Sequence, residues 1–220
     1  MPIARSTLAG ATTGVVLLAA AVGFGVGLPK VVDEPAAAAG SLPTLPDKLD
    51  DRFVALSNVT AEQVGMDTPE GAPQFKTAIA KIKASEKEAS AYFTKEYGAA
   101  RVRGYIAIPP PGSQTGSAQM AVTIAPGAPG LLNPQGPFMT DEVGAHYQLK
   151  DVQGKRCSVT WRDATDPATG MPTGQAPTAE SYVVQCRTES KGLTYDIFSN
   201  GLTPDEVAGY LDKVIDLTDS

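Results

Sequence analysis

Three residues hold most of the chain's conventional catalytic chemistry: a single histidine, His146, and two cysteines, Cys157 and Cys186. A structural zinc site built from histidine and cysteine alone needs four ligands, and the chain has only three such residues, so a site of this kind is out of reach within a monomer. Ser-His-Asp catalysis needs an exposed nucleophile, and no G-x-S-x-G motif occurs, because the serine in residues 112–116 stands one position early. We therefore expect His146 to be an ordinary residue at the surface or at a strand edge.

Carboxylates are the remaining candidates for chemistry. Asp141 and Glu142 could act as an acid–base pair, as in a hydrolase of envelope polymers. Asp163 and Asp166 could contribute oxygen ligands to calcium, but the Asp-rich loop and distal glutamate of an EF-hand are missing. The chain also lacks a P-loop and an S-x-x-K motif. The sequence predicts no enzyme, no catalytic or metal-binding residues and no cofactor, with the carboxylate hydrolase as the alternative.

The two cysteines lie in segments that alternate in the manner of β-strands. One antiparallel register would align three favourable cross-strand pairs: Cys157 with Cys186, Val159 with Val184, and Trp161 with Tyr182. Two cysteines in an exported chain are expected to oxidise, and redox catalysts usually carry C-x-x-C, which is absent here. We predict a structural disulfide that closes a loop of about 30 residues. A redox-active pair and free thiols are the alternatives.

The N-terminal region has the pattern of a membrane anchor. Residues 8–28 contain no charged side chain, and as a helix they would span roughly 30 Å, the thickness of a bilayer core. Arg5 before this segment favours an N-inside orientation. We predict an anchor at 1–28, a flexible tether at 29–48 and an extracytoplasmic domain at 49–220. We expect a single-pass protein of the cell membrane that contacts the membrane through residues 8–28. The alternative is a signal peptide cleaved within 35–41, which would make the protein secreted.

Composition narrows the class of partner. Lys and Arg total 18 against 24 Asp and Glu, which gives a net charge of -6 and a pI near 4.8. Binding to nucleic acid depends on neutralising phosphates with clustered basic side chains, so we expect no nucleic-acid partner. With 42% hydrophobic and 19% charged residues, the chain is globular.

Two helices are predicted from apolar periodicity and end signals. The first has an apolar stripe from Phe75 to Tyr97, interrupted only by Glu86, and Gly98 stands where a C-terminal cap belongs. Three lysines fall on another face of this helix and should be solvated, Lys76, Lys83 and Lys87. The second helix starts after Thr203, followed by Pro204 and by a glutamate at the capping-box spacing.

Strands make up the rest of the domain. Apolar or alternating segments lie at 53–56, 101–108, 120–124, 147–152, 156–162, 181–188 and 193–198. The last four form two hairpins, joined by turns at 153–155 and 190–192. We predict an α+β fold, a largely antiparallel sheet with two flanking helices, preceded by an N-terminal transmembrane helix. The polar loop at 163–179 is expected to be flexible surface.

Four short segments carry a family resemblance: EYGAARVRGY, KRCSVTW, SYVVQCRTESKGLTYDI and GLTPDEVAGYLDKVID. Over most of residues 50–217 they resemble a family of uncharacterised exported or membrane-anchored actinobacterial proteins, which implies location and topology but no activity. The layout is also similar to PsbP/Mog1-like domains, which mostly act as binding or assembly modules. The expected function is a non-enzymatic binding or assembly module at the cell envelope, with an envelope or membrane protein as partner. A purely structural spacer is a further alternative.

Overall fold

The structure is a computed structural model that describes residues 42–108, 118–130, 132, 141–142, 144–166 and 168–219. The predicted membrane segment and residues 29–41 of the tether lie outside these ranges. Among the described residues, none of the helices combines the length and apolar character needed to cross a bilayer.

The fold is α+β, as predicted, with every strand pairing antiparallel in one sheet. The described strands are β1 Phe53–Ala55, β2 Arg101–Ala107, β3 Gln119–Pro126, β4 Asp141–Glu142, β5 Ala145–Val152, β6 Lys155–Arg162, β7 Tyr182–Ser190 and β8 Leu193–Asn200. Seven of them have at least three residues, and β4 has two. Their spatial order in the sheet is β1-β2-β3-β8-β7-β6-β5-β4.

Both predicted hairpins are confirmed, with turns of two residues instead of three. Gln153 and Gly154 join β5 to β6 with φ of 52° and 76°, and Lys191 and Gly192 join β7 to β8 with φ of 51° and 75°. Positive φ at both central residues is the geometry of the turn type that matches the twist of two paired strands. Lys155, which follows the first turn, therefore belongs to β6, and Ser190, which precedes the second turn, belongs to β7.

The predicted pairing of β6 with β7 is confirmed at all three positions. Cys157 lies opposite Cys186, and the valine and aromatic pairs align in the same register. The cysteines form a disulfide and are fully buried, since neither exposes measurable surface. The covalent link therefore lies inside the core and joins the middle strands of one half of the sheet.

The C-terminal helix α2, Pro204–Thr218, covers one face of the sheet. Its start is the predicted capping box, in which the Thr203 side chain accepts from the N–H of Glu206 while the Glu206 carboxylate accepts from the N–H of Thr203. Val207, Leu211 and Val214 are fully buried against the sheet. Burial of three such side chains contributes roughly 1.5–3 kcal/mol each.

The long helix α1, Gly71–Tyr97, packs at one edge of the sheet instead of on its face. It ends at Gly98, whose φ of 82° confirms the predicted cap. The apolar stripe is only partly used, because Ala89 and Phe93 are buried, whereas Phe75 near the start is half-buried. The C-terminal half of α1 thus carries its contact with the domain.

The domain begins earlier than the sequence indicates. Leu42, Leu45 and Leu49 are all buried in the main core, with at most 9% of their surface exposed. The Tyr105 hydroxyl donates to the carbonyl of Pro46 at 2.8 Å. The predicted tether, 29–48, is therefore too long at its C-terminal end, because residues 42–48 are packed against the sheet.

Candidate functional site

A groove lies between α1 and the edge of β2. Strand β1 pairs only with residues 105–107 of β2, so the first half of β2 has no strand neighbour on that side among the described residues. Helix α1 takes that place and supplies acceptors from its side chains. Ser90 Oγ accepts from the N–H of Val102 at 3.1 Å, and Glu86 Oε1 accepts from the N–H of Gly104 at 3.1 Å. An edge that would otherwise present unpaired N–H groups is thus closed by a helix.

Glu86 is explained by this arrangement. The sequence shows it only as a polar interruption of an apolar stripe, but its carboxylate satisfies a backbone donor of the neighbouring strand. Gly104 makes room for Leu56, since a Cβ added there would lie 2.8 Å from a methyl carbon of Leu56 but 3.8 Å from Glu86 Oε1, which is an ordinary contact distance. The contact of helix and strand therefore depends on the acceptor at position 86, and the missing side chain accommodates the leucine.

Cationic side chains line the groove. Its volume is about 720 Å³, and it is shallow and open to solvent. Four exposed cations border it: Lys83, Lys87, Lys95 and Arg101. None of them forms an ion pair with the part of the chain that the structure describes. Glu86 is the one carboxylate of the described lining, so positive charge dominates a site on an acidic protein.

Three hydroxyls complete the lining, those of Ser57, Ser90 and Thr94. Thr94 Oγ1 accepts from the N–H of Ala100 at 3.1 Å, as Ser90 accepts from β2. A hydroxyl that accepts from an amide still has its own proton to donate. No side-chain oxygen or nitrogen buried within the described residues lacks a partner, so the polar atoms of the groove are either bonded or open to solvent. The groove therefore combines exposed cations with hydroxyl donors.

His146, the lone histidine, is more enclosed than an ordinary surface residue. Its Nε2 lies 2.9 Å from Asp163 Oδ1, and its ring stacks on Trp161 with centroids 4.8 Å apart and an angle of 14°. The side chain is 20% exposed. The contact of His146 with Asp163 fixes the start of the 163–179 loop against β5. Neither residue lines the groove.

The carboxylates considered as candidates lie at the start of the 163–179 loop and in β4. Asp163 pairs with His146, whereas Asp166 accepts from the N–H groups of residues 168 and 169 in its own turn. Within the described ranges, no group of three or more His, Cys, Asp or Glu residues is arranged to hold a metal ion. Asp141 and Glu142 form β4, and their backbones pair with β5 at Ala145 and His146.

A second polar cluster fastens the N-terminal segment to α2. Asp50 Oδ2 accepts from Lys213 Nζ at 2.8 Å and from the Tyr210 hydroxyl at 3.0 Å, while Oδ1 accepts from the N–H groups of Arg52 and Phe53 at 2.9 Å. Burial alone would raise the pKa of Asp50, but these hydrogen bonds outweigh it and lower the pKa. Burial and the bond to Asp50 raise the pKa of Tyr210 to about 12. We refer to Asp50, Arg52, Glu206, Tyr210 and Lys213 as the clamp.

The other half of the clamp is an ion pair. Arg52 donates to Glu206 Oε1 at 2.8 Å, and the same carboxylate belongs to the capping box of α2. Burial would raise the pKa of Glu206, yet the bonds from Arg52 and Thr203 lower it. A general acid needs a raised pKa, so neither Asp50 nor Glu206 suits that role in the carboxylate hydrolase. The clamp is structural.

A third polar cluster lies on the sheet face opposite to α2. Arg187 Nε donates to Asp196 Oδ2 at 2.7 Å, and Gln185 donates to the same carboxylate at 3.0 Å. A second guanidinium nitrogen of Arg187 donates to the carbonyl of Pro129 at 2.9 Å, which holds the loop after β3 over the sheet. Arg187 is 6% exposed, so this pair has little access to a ligand.

The comparisons with known proteins bring no further assignment. No protein-family model matches the chain, and no curated protein and no solved structure matches it. The resemblance to exported actinobacterial proteins therefore stays a prediction, and the geometry of the groove carries the functional argument.

The sequence did not indicate the groove. The sequence predicts only that Lys83 and Lys87 are solvated, and both are exposed, but their position beside β2 follows from the tertiary contact. The one signal that could have indicated it is Glu86, a carboxylate on the apolar stripe, together with Gly104 in the alternating strand.

Proposed function

We propose that the chain is a non-enzymatic binding or assembly domain that stands at the outer side of the cell membrane on its N-terminal anchor. The observation that carries the proposal is the groove between α1 and β2, where cations without an ion-pair partner among the described residues meet hydroxyl donors in a concave surface. Such a surface binds through complementary charge and hydrogen bonds and needs no reactive group.

The buried disulfide supports the location. Disulfides persist in oxidising compartments and are rare in the cytosol, and the Cys157–Cys186 bond lies in the core of the domain. The apolar segment 8–28 supports a membrane anchor at the start of the chain. Only about thirteen residues then separate the anchor from Leu42, so the groove would stay within reach of the membrane surface and the polymers next to it.

Site-specific photocrosslinking in intact cells tests the proposal. A photoreactive residue at Ala91, which borders the groove, should form an adduct with an envelope component, while one at Met171, 67% exposed on the distant loop, should not. Absence of any groove-specific adduct would contradict the proposal.

Intact mass of the protein from separated membrane and medium fractions tests the location. A full-length species in the membrane that gains two hydrogens on reduction is the expected result. A shortened species found only in the medium would show that the N-terminal segment is a cleaved signal peptide and not an anchor.

A further inference from the structure

We infer that the groove between α1 and β2 binds a linear polyanion, a polymer that repeats phosphate or carboxylate groups along its chain. The inference rests on the proposed binding function and names the class of its ligand. Its evidence is the charge, the length and the composition of the groove.

The cations form a row along the groove. Lys83 and Lys87 are one helical turn apart, which places their Cβ atoms about 5–6 Å from each other. Lys95 lies a further two turns on, so the row extends roughly 18 Å at 1.5 Å per residue. Arg101 borders the same groove from the strand side. A row of this length matches a ligand with several successive charges better than one compact anion.

The cations of this row have no ion-pair partner among the described residues. Lys155, Lys191 and Lys213 each pair with an aspartate at 2.8 to 3.0 Å. The four cations of the groove have no such partner in the described structure, and Glu86 directs one oxygen to the N–H of Gly104. Their charge is thus available to a ligand without breaking an internal ion pair.

The remaining lining favours an anionic ligand over other classes. The described side chains without a charge or hydroxyl are small or aliphatic, Ala91, Ala100 and Val102, and no aromatic ring among the described residues borders the groove. Nucleic-acid bases are commonly held by stacking on aromatic rings, which this lining does not offer. A hydrophobic peptide would need an apolar pocket. Hydroxyl donors beside lysines suit phosphate and carboxylate oxygens instead.

The open form of the groove favours a chain over an enclosed molecule. Its volume of about 720 Å³ lies within the usual range of ligand sites, yet it is shallow and unroofed. A polymer segment could lie in such an open groove without being enclosed. A flat membrane surface would fit the concave lining less well, so anionic lipid is treated as an outcome of the test.

Binding is measured with the full-length protein in micelles of neutral detergent at low ionic strength. The probes are polyphosphate and polygalacturonate, with orthophosphate and galacturonate as the monomeric anions, neutral dextran as the uncharged polymer, and phosphatidylglycerol vesicles as the lipid. We expect both polyanions to bind, and the affinity to fall steeply with added salt. Monomers should bind far more weakly, and dextran not at all.

Two variants of equal charge test the position of the site. The double substitution Lys83→Gln/Lys87→Gln should raise the Kd about five-fold, as expected when two exposed charge contacts are lost. Lys76→Gln/Lys81→Gln removes the same charge from the same helix outside the groove and should change the Kd less than about two-fold. An equal rise of the Kd in both variants would show that binding depends only on the net charge of the protein, and this would overturn the inference.

A second pair of variants tests the interior of the groove. Ala91→Glu places a negative charge beside the lysines, and Ala91→Gln is its neutral match in size. We expect Ala91→Glu to weaken polyanion binding several-fold relative to Ala91→Gln. Every position substituted on α1 in these tests is exposed, so thermal unfolding should show that each variant keeps its fold.

The outcomes distinguish a failure of the inferred ligand class from a failure of the proposed binding function. If neither polyanion binds, or if only the lipid vesicles bind, the inference that the ligand is a linear polyanion is wrong. In that case a groove-specific protein adduct from the crosslinking experiment would still uphold the binding function. If neither experiment gives groove-specific binding, both proposals fall.

Discussion

Replacing Asp50 by asparagine should loosen the N-terminal segment from α2. The asparagine side chain keeps an oxygen for the N–H groups of Arg52 and Phe53, but its amide nitrogen cannot accept from the Tyr210 hydroxyl and the Lys213 ammonium. Hydrogen bonds to charged groups contribute about 1.5–3 kcal/mol when buried. Asp50 and Lys213 are 27% and 41% exposed, which screens the pair. We expect a loss of about 1–2 kcal/mol in the free energy of unfolding, or roughly 2–8 °C in Tm.

The stability difference between the wild-type protein and Asp50→Asn should depend on pH, and the pKa of Asp50 gives the direction of this dependence. The pKa of Asp50 is lowered by folding, so its stabilisation is present above the unfolded value, about 3.9, and is lost as the pH falls through the folded pKa. Asparagine does not titrate. The difference between the wild-type protein and Asp50→Asn should therefore be full at pH 7 and shrink towards zero below about pH 3.9.

Urea unfolding at fixed ionic strength from about pH 3 to about pH 8 measures this difference. The matched control is Asp51→Asn, which makes the same change of charge at an exposed neighbour of the clamp. That variant should stay within about 0.5 kcal/mol of wild type. A difference for Asp50→Asn that persists undiminished at the acid end of this range, or an equal loss in both variants, would refute the assignment of the clamp.

Three further predictions concern stability and are measured by urea unfolding. Replacing both Cys157 and Cys186 by alanine should cost about 3–4 kcal/mol, because the disulfide closes a separation of 29 residues in the unfolded chain; an unchanged midpoint would contradict this. Gly104→Ala should destabilise by about 1–3 kcal/mol through overpacking, whereas Gly209→Ala, with open space on α2, should stabilise by about 0.5–1 kcal/mol. Glu86→Leu completes the apolar stripe of α1 but leaves the N–H of Gly104 without its acceptor, and we expect a loss of about 1–2 kcal/mol; a more stable variant would show that the stripe matters more than the hydrogen bond.

Local patterns were sufficient to predict much of the sheet and of α2. The register of Cys157 with Cys186 followed from three cross-strand pairs that one alignment satisfies together, and the capping box followed from residues three positions apart. In both cases the partners are recognised by residue type and by short, fixed spacings. The α+β class and both hairpins depended on the same kind of signal.

Features that depend on distant parts of the chain were missed. Leu42, Leu45 and Leu49 stand among prolines and charges, so the composition indicated a tether, although their spacing of three and four residues was a signal of burial. The role of Glu86 arises because β1 stops short of the first half of β2. No pattern within α1 could reveal that missing neighbour, and the groove follows from it.

The clamp can form only after α2 has been synthesised, so the domain cannot finish folding before then. Its contacts join Asp50 and Arg52 to residues 154 to 163 positions later in the chain. At synthesis rates of about 5–20 residues per second, about 10–30 s pass between the appearance of the first partner and that of the last. During this interval the leucines of residues 42–49 have no complete core to enter. The N-terminal segment would then be exposed to proteases and chaperones until α2 arrives, and the beginning of the domain is among the last parts to become protected.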